Sequence, residues 1–192
     1  WAELEVTGRA AHGSRPDLGI DAIAKAGPVL TAIGELDEAL GERTHPLLGR
    51  GSVHASTIDG GVELSSYPAR CAIGVERRTL PGETVADVEA ELAALGAQQH
   101  RILLVREGFE VASDEDVVAV VSAAATAILG DTPPITGVSY WADAAFIAAA
   151  GIPTVMFGPS GEGAHAVEEW VSIPDTVAVT RTLVGAAERL LG

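Results

Sequence analysis

The chain has 192 residues, of which 47% are apolar, and its 27 acidic and 12 basic side chains give a net charge of −15. Such a charge excludes electrostatic capture of nucleic acid or of an anionic membrane, since both require a basic surface. The length suffices for one ordinary domain or two small ones. No apolar run is long enough to span a bilayer. We therefore expect a soluble globular protein whose ligands are small molecules.

The single cysteine and the first residues indicate where the protein acts and how complete the chain is. Cys71 has no partner for an internal disulfide, which is typical of a reducing compartment such as the cytoplasm. The start at Trp1 lacks the basic and apolar regions of a signal peptide. It also falls inside a strand pattern, from which we expect the chain to be part of a longer protein.

The first half of the chain alternates strand and helix patterns. The predicted elements are a strand over 2–6, a helix from Ile20, strands over 51–58 and 69–77, a helix capped before Val85 and ended by Gly96, and a strand over 101–105 that 107–111 extends or follows. This order is the split βαβ pattern of an α+β, ferredoxin-like sandwich (βαββαβ). We therefore expect a first domain that ends near residue 112.

The first predicted helix has its apolar positions at helical spacing, and one proline interrupts it. The residues on its expected apolar face are Ile23, Ala26, Leu30, Ile33 and Leu40. Pro28 predicts either a kink or a late start of this helix, because proline cannot donate the backbone hydrogen bond.

The second half alternates helix and strand in the manner of parallel α/β structure. The expected elements are a helix over 117–128 that stops at Gly130, a strand over 135–138, a short helix over 143–150 capped by Asp143, a buried strand over 152–157, and a final helix marked by Ile173, Val177, Val184 and Leu191. At about 80 residues this part is small for a doubly wound domain and has the size of half of one.

A glycine-rich loop follows the predicted strand over 152–157. It runs from Gly158 to Glu169 and places His165 between carboxylates. Open α/β sheets bind ligands just beyond the carboxyl ends of their strands, which makes His165 a candidate functional residue. On the loop residues alone, a histidine hydrogen-bonded to a neighbouring glutamate is the commoner outcome. Glu162 argues against a dinucleotide site, and Ser160 lacks the last glycine of a nucleophile elbow, so we interpret it as a turn residue.

Two further places could carry chemistry. His12 lies in a Gly/Ser loop between Arg9 and Arg15 and is either a surface histidine or a donor to an oxygen that becomes negative during a reaction. The pair Arg77-Arg78 ends a strand, where alternation turns one side chain away from the other. One of the two is expected to be solvated and the other could bind a substrate carboxylate.

Five segments, in this order, resemble one family of enzymes. They are Gly8 to Ile23 around His12, Gly60 to Pro68, Glu76 to Glu83, Trp141 to Ala144, and Gly158 to Glu169 around His165. Their succession is similar to that in the di-zinc hydrolases that include acetylornithine deacetylase, succinyl-diaminopimelate desuccinylase, aminoacylase and carboxypeptidase G. The resemblance extends along nearly the whole chain.

The resemblance implies a ferredoxin-like lid domain that dimerises, over residues 1–112, and an α/β segment of a zinc-exopeptidase-like catalytic domain, over 113–192. It also implies a role for individual residues. His165 would be a ligand of one of two zinc ions, and His12 would act catalytically at the oxyanion of the partner's active site. Arg78 would bind the substrate's α-carboxylate, while Ser139, Gly137 and the loop at Gly158 would line the substrate.

Two features of the chain depart from this family. The first catalytic half of the family, with its His-x-Asp motif, bridging Asp and paired Glu residues, does not occur in the sequence. The asparagine that many relatives carry before Pro68 is replaced by Ser65-Ser66-Tyr67. A paired metal site needs several converging ligands, so the chain by itself is expected to be inactive.

Two hypotheses follow. In the first, the complete protein is a homodimeric zinc-dependent hydrolase of N-acyl amino acids or small peptides, for which cobalt or manganese would also suit the ligands. In the second, the chain is a non-catalytic dimerisation module, held together by lid edges that pair across a two-fold axis.

Overall fold

The computed structural model describes residues 1–192, which form two compact units, Trp1–Gly108 and Phe109–Gly192. The first unit contains β1 (Ala2–Thr7), β2 (Ala11–His12), α1 (Ala22–Leu40), β3 (Thr44–His45), β4 (Gly49–Arg50), β5 (Ser52–Gly60), β6 (Ser66–Tyr67), β7 (Arg70–Arg78), α2 (Val85–Ala94) and β8 (Gln99–Ile102). The second contains α3 (Asp116–Leu129), α4 (Ala144–Ala149), β9 (Gly161–Glu162), β10 (Trp170–Val171) and α5 (Ile173–Leu191).

The centre of the first unit is a four-stranded sheet in the order β5-β7-β1-β8. Every pair of neighbouring strands is antiparallel. With α1 after β1 and α2 after β7, the element order and strand order are those of the ferredoxin-like sandwich, so the predicted α+β fold class is confirmed. The short pairs β2–β6 and β3–β4 form two separate two-stranded sheets.

One face of the sheet is apolar because the strands alternate their side chains. In β1 the buried residues are Ala2, Leu4 and Val6, and they belong to the same hydrophobic cluster as Ile73 and Val75 of β7. The helices α1 and α2 contribute to this cluster and therefore cover that face. The opposite face, which we call the open face, carries charged side chains, among them Glu3, Glu5, Glu76 and Arg78 of β1 and β7.

Helix α1 differs from its prediction in register. It starts at Ala22, after Asp21 accepts a hydrogen bond from the backbone N–H of Ala24, and it continues through Pro28. The buried face consists of Ala22, Ala26, Val29, Ile33 and Leu40, whereas Ile23 and Leu30 are exposed. The expected apolar face was therefore partly wrong, because Ala22 and Val29, and not the adjacent Ile23 and Leu30, belong to the buried cluster.

The carboxylate of Asp37 ties the end of α1 to the start of β5. Its Oδ1 accepts a hydrogen bond from the backbone N–H of Val53 at 2.9 Å, and its Oδ2 pairs with the guanidinium of Arg50. The hydrogen bond from Val53, and after it the contact with Arg50, lower the pKa of Asp37 below its usual value. The ionised form is thus favoured in the folded state.

Helix α2 has the boundaries that its sequence predicts. Thr84 accepts a hydrogen bond from the backbone N–H of Asp87, and Asp87 accepts one from the backbone N–H of Thr84. This reciprocal capping box satisfies two backbone donors that would otherwise lack a partner. Strand β8, in contrast, covers 99–102 instead of the predicted 101–105, and 107–111 form no strand.

The second unit is helical with one small hairpin. Helices α3 and α5 pack together through a cluster that includes Val121, Ala124 and Ala186. The final helix is present as predicted, and the apolar residues that mark it, namely Ile173, Val177, Val184 and Leu191, are all exposed. Within this unit α5 meets α3 through its other side, around Thr182 and Ala186, which are buried.

The two strands predicted in the second unit are absent. Residues 135–138 and 152–157 have no strand partner, and all of them are exposed or only partly buried. An apolar run becomes a strand only when a neighbouring strand accepts its backbone hydrogen bonds. The only paired strands of this unit are the two-residue β9 and β10. None of the five helices of the chain has the length and apolar character needed to cross a lipid bilayer.

We expect Asp37→Asn to destabilise the first unit by about 1 kcal/mol at pH 7, where the lost charge weakens both contacts and solvent screens part of the effect. Because the pKa of Asp37 is lowered by folding, its contribution is present above the unfolded value of 3.8 and is lost as pH falls through the folded value. Urea unfolding at pH 7 and at pH 3 measures the difference in the free energy of unfolding between the wild type and Asp37→Asn. Glu38→Gln, at the exposed neighbouring position, is the control, and an Asp37→Asn deficit of equal size at both pH values would contradict the role of the charge.

Candidate active-site residues

The loop that carries His12 is held to the rest of the first unit at both ends. Gly8 donates its backbone N–H to the carbonyl of Ala69, and the short strand β2 pairs His12 with Ser66 of β6. A Cβ added at Gly8 would lie 2.2 Å from the carbonyl oxygen of Ile20, so the loop can approach this closely only at a glycine. His12 is exposed to solvent, and the loop that carries it is anchored by these contacts.

The hydrogen bonds of His12 select one tautomer of its ring. Nδ1 accepts the backbone N–H of Ser14 at 3.2 Å and lies 2.8 Å from the Ser14 hydroxyl. A ring nitrogen that accepts from a backbone N–H carries no proton in the neutral imidazole, so the proton lies on Nε2. Neutral His12 thus presents an exposed Nε2–H donor, which is the group needed to stabilise a developing oxyanion.

The arginines at the end of β7 point to opposite faces, as the alternation predicts. The side chain of Arg77 is 4% exposed and lies on the helix-covered face, whereas that of Arg78 is 53% exposed and lies on the open face. Nε of Arg78 forms an ion pair with Glu76 at 3.2 Å. Arg78 is thus the solvent-exposed member of the pair, and Arg77 is buried in an ion cluster.

That ion cluster joins β7 to α2. Arg77 donates to Glu83 at 2.8 Å and to Glu91 at 2.8 and 3.2 Å, and Arg43 approaches both carboxylates. Burial raises the pKa of Glu83, but the hydrogen bonds from Arg77 and from the backbone N–H of Leu80, with the charge of Arg43, bring it below its usual value. Arg77 also donates to the carbonyl of Arg78 at 2.6 Å, which fixes the backbone from which Arg78 projects.

His12 and Arg78 lie at opposite ends of the sheet. His12 pairs with Ser66, close to the start of β7, and Arg78 is the last of the nine residues of that strand. At about 3.3 Å per residue, β7 separates the two ends by about 26 Å. His12 and Arg78 of one chain therefore cannot contact the same small substrate.

His165 lies in the loop of the hairpin that β9 and β10 form. Its φ angle is 65°, which makes it the only residue other than glycine with positive φ. The hairpin is tight: at Gly163 an added Cβ would lie 1.9 Å from the carbonyl oxygen of Glu168. The side chain of His165 is exposed at this turn. Strained backbone at a potential ligand is a reason to suspect a functional role.

The remaining candidates of the second unit lie on exposed loops. Ser139 and Gly158 are both exposed. Asp143 occupies the cap position of α4, but its side chain makes no capping hydrogen bond, so that part of its predicted role is wrong. Ser160 bonds to Asp175 in the first turn of α5 and so anchors the hairpin, in agreement with its interpretation as a turn residue.

The chain does not contain a complete metal site. Nowhere do three or more His, Cys, Asp or Glu side chains converge in a way that could hold an ion. His165 can offer one imidazole nitrogen, but protein zinc sites use three or four ligands. The residues of this chain therefore do not fit a resident metal by themselves.

Comparison with known proteins defines the class to which the chain belongs. Residues 1–101 match the family model described as "Peptidase dimerisation domain". An acetylornithine deacetylase from Myxococcus xanthus is 28% identical over 207 residues, covering 100% of this chain and 52% of that protein. One from Proteus mirabilis is 28% identical over 196 residues, covering 95% of this chain and 49% of that protein. The chain thus spans about half the length of the curated relatives it matches.

The chain belongs to the M20 family of metallohydrolases, in the region of its dimerisation domain. Solved structures agree on the fold. The aminopeptidase PepT from Bacillus cereus superimposes with a TM-score of 0.78 at 21% identity, covering 100% of this chain and 51% of that one.

Two contacts within the first unit were missed from the sequence. Ser14 follows His12 by two residues and Glu76 precedes Arg78 by two, a spacing that places Glu76 and Arg78 on one face of a strand. Alternation along β7 could have indicated the second pair. The first depends on the turn after His12, where Arg15 donates its backbone N–H to the carbonyl of His12.

We expect long-range ¹H–¹⁵N spectra, recorded where the imidazoles are neutral, to show His12 as the Nε2–H tautomer. The reason is that the backbone N–H of Ser14 points at Nδ1. His100, for which no hydrogen bond from a backbone N–H to the ring is found, is the internal control and should show averaged nitrogen shifts. A proton on Nδ1 of His12 would contradict the assignment.

Proposed function

We propose that this chain is the C-terminal portion of a metal-dependent hydrolase that cleaves an amide bond in N-acyl-L-amino acids or small peptides. The observation that carries the proposal is the alignment of the entire chain with an acetylornithine deacetylase. The dimerisation-domain match supports the same family assignment. The substrate class, the complete activity and a cytoplasmic location are parts of this proposal.

In this proposal residues 1–112 are the lid and dimerisation domain, and residues 113–192 are the last part of the catalytic domain. Two observations support the second assignment. The chain spans about half of its relatives, and α5 leaves Ile173, Val184 and Leu191 exposed. An apolar face of this kind is typical of a surface that another part of a folded protein covers.

The lid would form a homodimer, as the description of the matching family model indicates. Strand β5 is an edge of the sheet and its outer backbone groups are unpaired. Beside it, α1 exposes Ile23 and Leu30. An edge strand and an exposed apolar helix position provide the backbone donors and the apolar surface that a second copy can use.

Dimerisation gives His12 a role that the single chain does not allow. Since His12 and Arg78 of one chain are too far apart for one small substrate, His12 would act as the catalytic oxyanion donor in the active site of the partner. Its exposed Nε2–H supports this, because a neutral donor can contact the carbonyl oxygen as it becomes negative. Arg78 would bind the substrate's α-carboxylate, with Gly137, Ser139 and Gly158 lining the substrate.

The metal would be a pair of zinc ions, with cobalt or manganese as alternatives that suit imidazole and oxygen ligands. His165 would supply one ligand from this chain, and the other ligands and the general base would come from outside it. Bound metal ions would polarise the scissile carbonyl and activate water. The residues of this chain would contribute the oxyanion donor and the substrate contacts.

Mixing two inactive variants of the complete polypeptide tests the shared site. His12→Ala should lower turnover about a hundredfold or more with unchanged metal content, whereas His165→Ala should lower metal content. In a mixed dimer the His165→Ala chain supplies His12 to the site of the His12→Ala chain. Random mixing should therefore restore about a quarter of wild-type activity.

The controls separate the parts of this test. Each variant mixed with itself must stay inactive, and wild-type turnover of the His12→Ala homodimer would refute the catalytic role of His12. If both homodimers are inactive and mixing restores nothing, His12 acts within its own chain, and the shared site is wrong.

The second candidate function is a non-catalytic dimerisation module, favoured by the lack of converging metal ligands in this chain. Under either hypothesis we expect the isolated chain to retain no stoichiometric zinc after dialysis, because His165 alone cannot hold it. Elemental analysis and an amidase assay on the 192 residues check this. Stoichiometric metal with turnover would show that the chain is a complete enzyme.

A further inference from the structure

Glu76 lies on the open face of the sheet, and its carboxylate contacts three side chains, one of which is Arg78. Oε1 of Glu76 accepts the indole N–H of Trp1 at 3.0 Å and lies 3.2 Å from Nε of Arg78. Its Oε2 is 3.8 Å from Nε2 of His54 on the adjacent strand β5. The Glu76 side chain is 21% exposed, so it is held between neighbours and is not free in solvent.

The shortest contact between Glu76 and the Arg78 guanidinium is made by Nε. No hydrogen bond is found at Nη1 or Nη2, and the side chain is half exposed. A guanidinium binds a carboxylate best through two parallel N–H donors. Since Nη1 and Nη2 have no hydrogen-bond partner and the side chain is half exposed, they are available for such a bidentate contact.

The backbone beneath Arg78 is fixed from the other face of the sheet. Arg77 donates to the Arg78 carbonyl and is itself held by Glu83 and Glu91. The main chain at Arg78 is thus set by one contact and the guanidinium by another. A long arginine side chain that is fixed at both ends loses less conformational entropy when a ligand binds.

We propose that Glu76 is a positioning residue, which holds Nε of Arg78 so that the outer edge of the guanidinium is presented to the carboxylate of the substrate. The inference rests on the proposed function, in which Arg78 binds that carboxylate. Glu76 itself touches no substrate. It acts through Arg78, and its removal should weaken recognition of the carboxylate without affecting the chemical step.

The chain offers a matched control on the same face. Glu5 lies 2.6 Å from Nε of Arg70 and is similarly exposed. Glu5→Gln therefore removes the same charge from another glutamate that contacts an arginine Nε, here through a hydrogen bond, at an arginine that has no role in the proposal.

The first experiment follows the side-chain Nε–Hε signals of the arginines in the 192-residue chain by NMR. Glu76→Gln should speed hydrogen exchange at Arg78 Nε about tenfold, as expected for a lost charge-assisted contact, and leave Arg70 unchanged. Glu5→Gln should speed hydrogen exchange at Arg70 Nε and leave Arg78 unchanged. Glu76→Asp, which keeps the charge but withdraws it from Arg78, provides a second variant if Glu76→Gln does not fold. Unchanged exchange at Arg78 in the folded Glu76 variants would overturn the inference.

The second experiment measures KM and kcat of the complete enzyme for N-acetyl-L-ornithine and for its C-terminal amide, which lacks the carboxylate. Glu76→Gln should raise KM for the acid about fivefold, with kcat and the KM for the amide unchanged. A purely structural defect would affect both probes alike, and that result would overturn the positioning role.

The variant Arg78→Ala distinguishes the role of Arg78 in binding the carboxylate from the role of Glu76 in positioning Arg78. If it abolishes the preference for the acid while Glu76→Gln behaves like Glu5→Gln, the positioning role of Glu76 is wrong and the role of Arg78 stands. If Arg78→Ala retains the preference, the assignment of Arg78 is wrong and the inference about Glu76 falls with it.

Discussion

The first unit depends on the alternation of side chains along β7. Its odd-numbered positions, Cys71 to Val75, are buried beneath the helices, and Arg77 continues that face into an ion cluster. The even-numbered positions include Glu76 and Arg78, and these lie on the open face. A shift of register by one residue would bury Arg78 and expose the core. The same periodicity therefore fixes the core and the placement of the candidate substrate-binding residue.

Long, regular elements of this chain could be predicted from its sequence, and elements that depend on distant partners could not. Strands β1, β5 and β7 follow from period-two patterns, and α2 follows from its cap and its terminating glycine. The apolar runs at 135–138 and 152–157 have the composition of strands but no strand beside them in this chain. Composition describes what a segment can bury, whereas a strand also needs a neighbour for its backbone.

The candidate site shows the same division. The residue types and spacing of the motifs around His12, Arg78 and His165 identified these side chains, and the resemblance supplied roles that remain proposals. The partners that orient them were not visible in the sequence, because Ser14 and Glu76 act through hydrogen-bond and ion-pair geometry. Nor could the sequence show that His165 adopts a left-handed backbone conformation.

Strand β1 is formed by the first residues of the chain and yet lies between β7 and β8. Ala2 is paired with Val75 on one side and with Ile102 on the other. The middle of the sheet can therefore close only after Ile102, a hundred residues further along the chain than Ala2, has been synthesised. Contacts between residues so distant in sequence slow folding. Until then β1 exposes an apolar face and two unpaired edges, so this short segment is the part of the unit most open to mispairing with a neighbouring nascent chain.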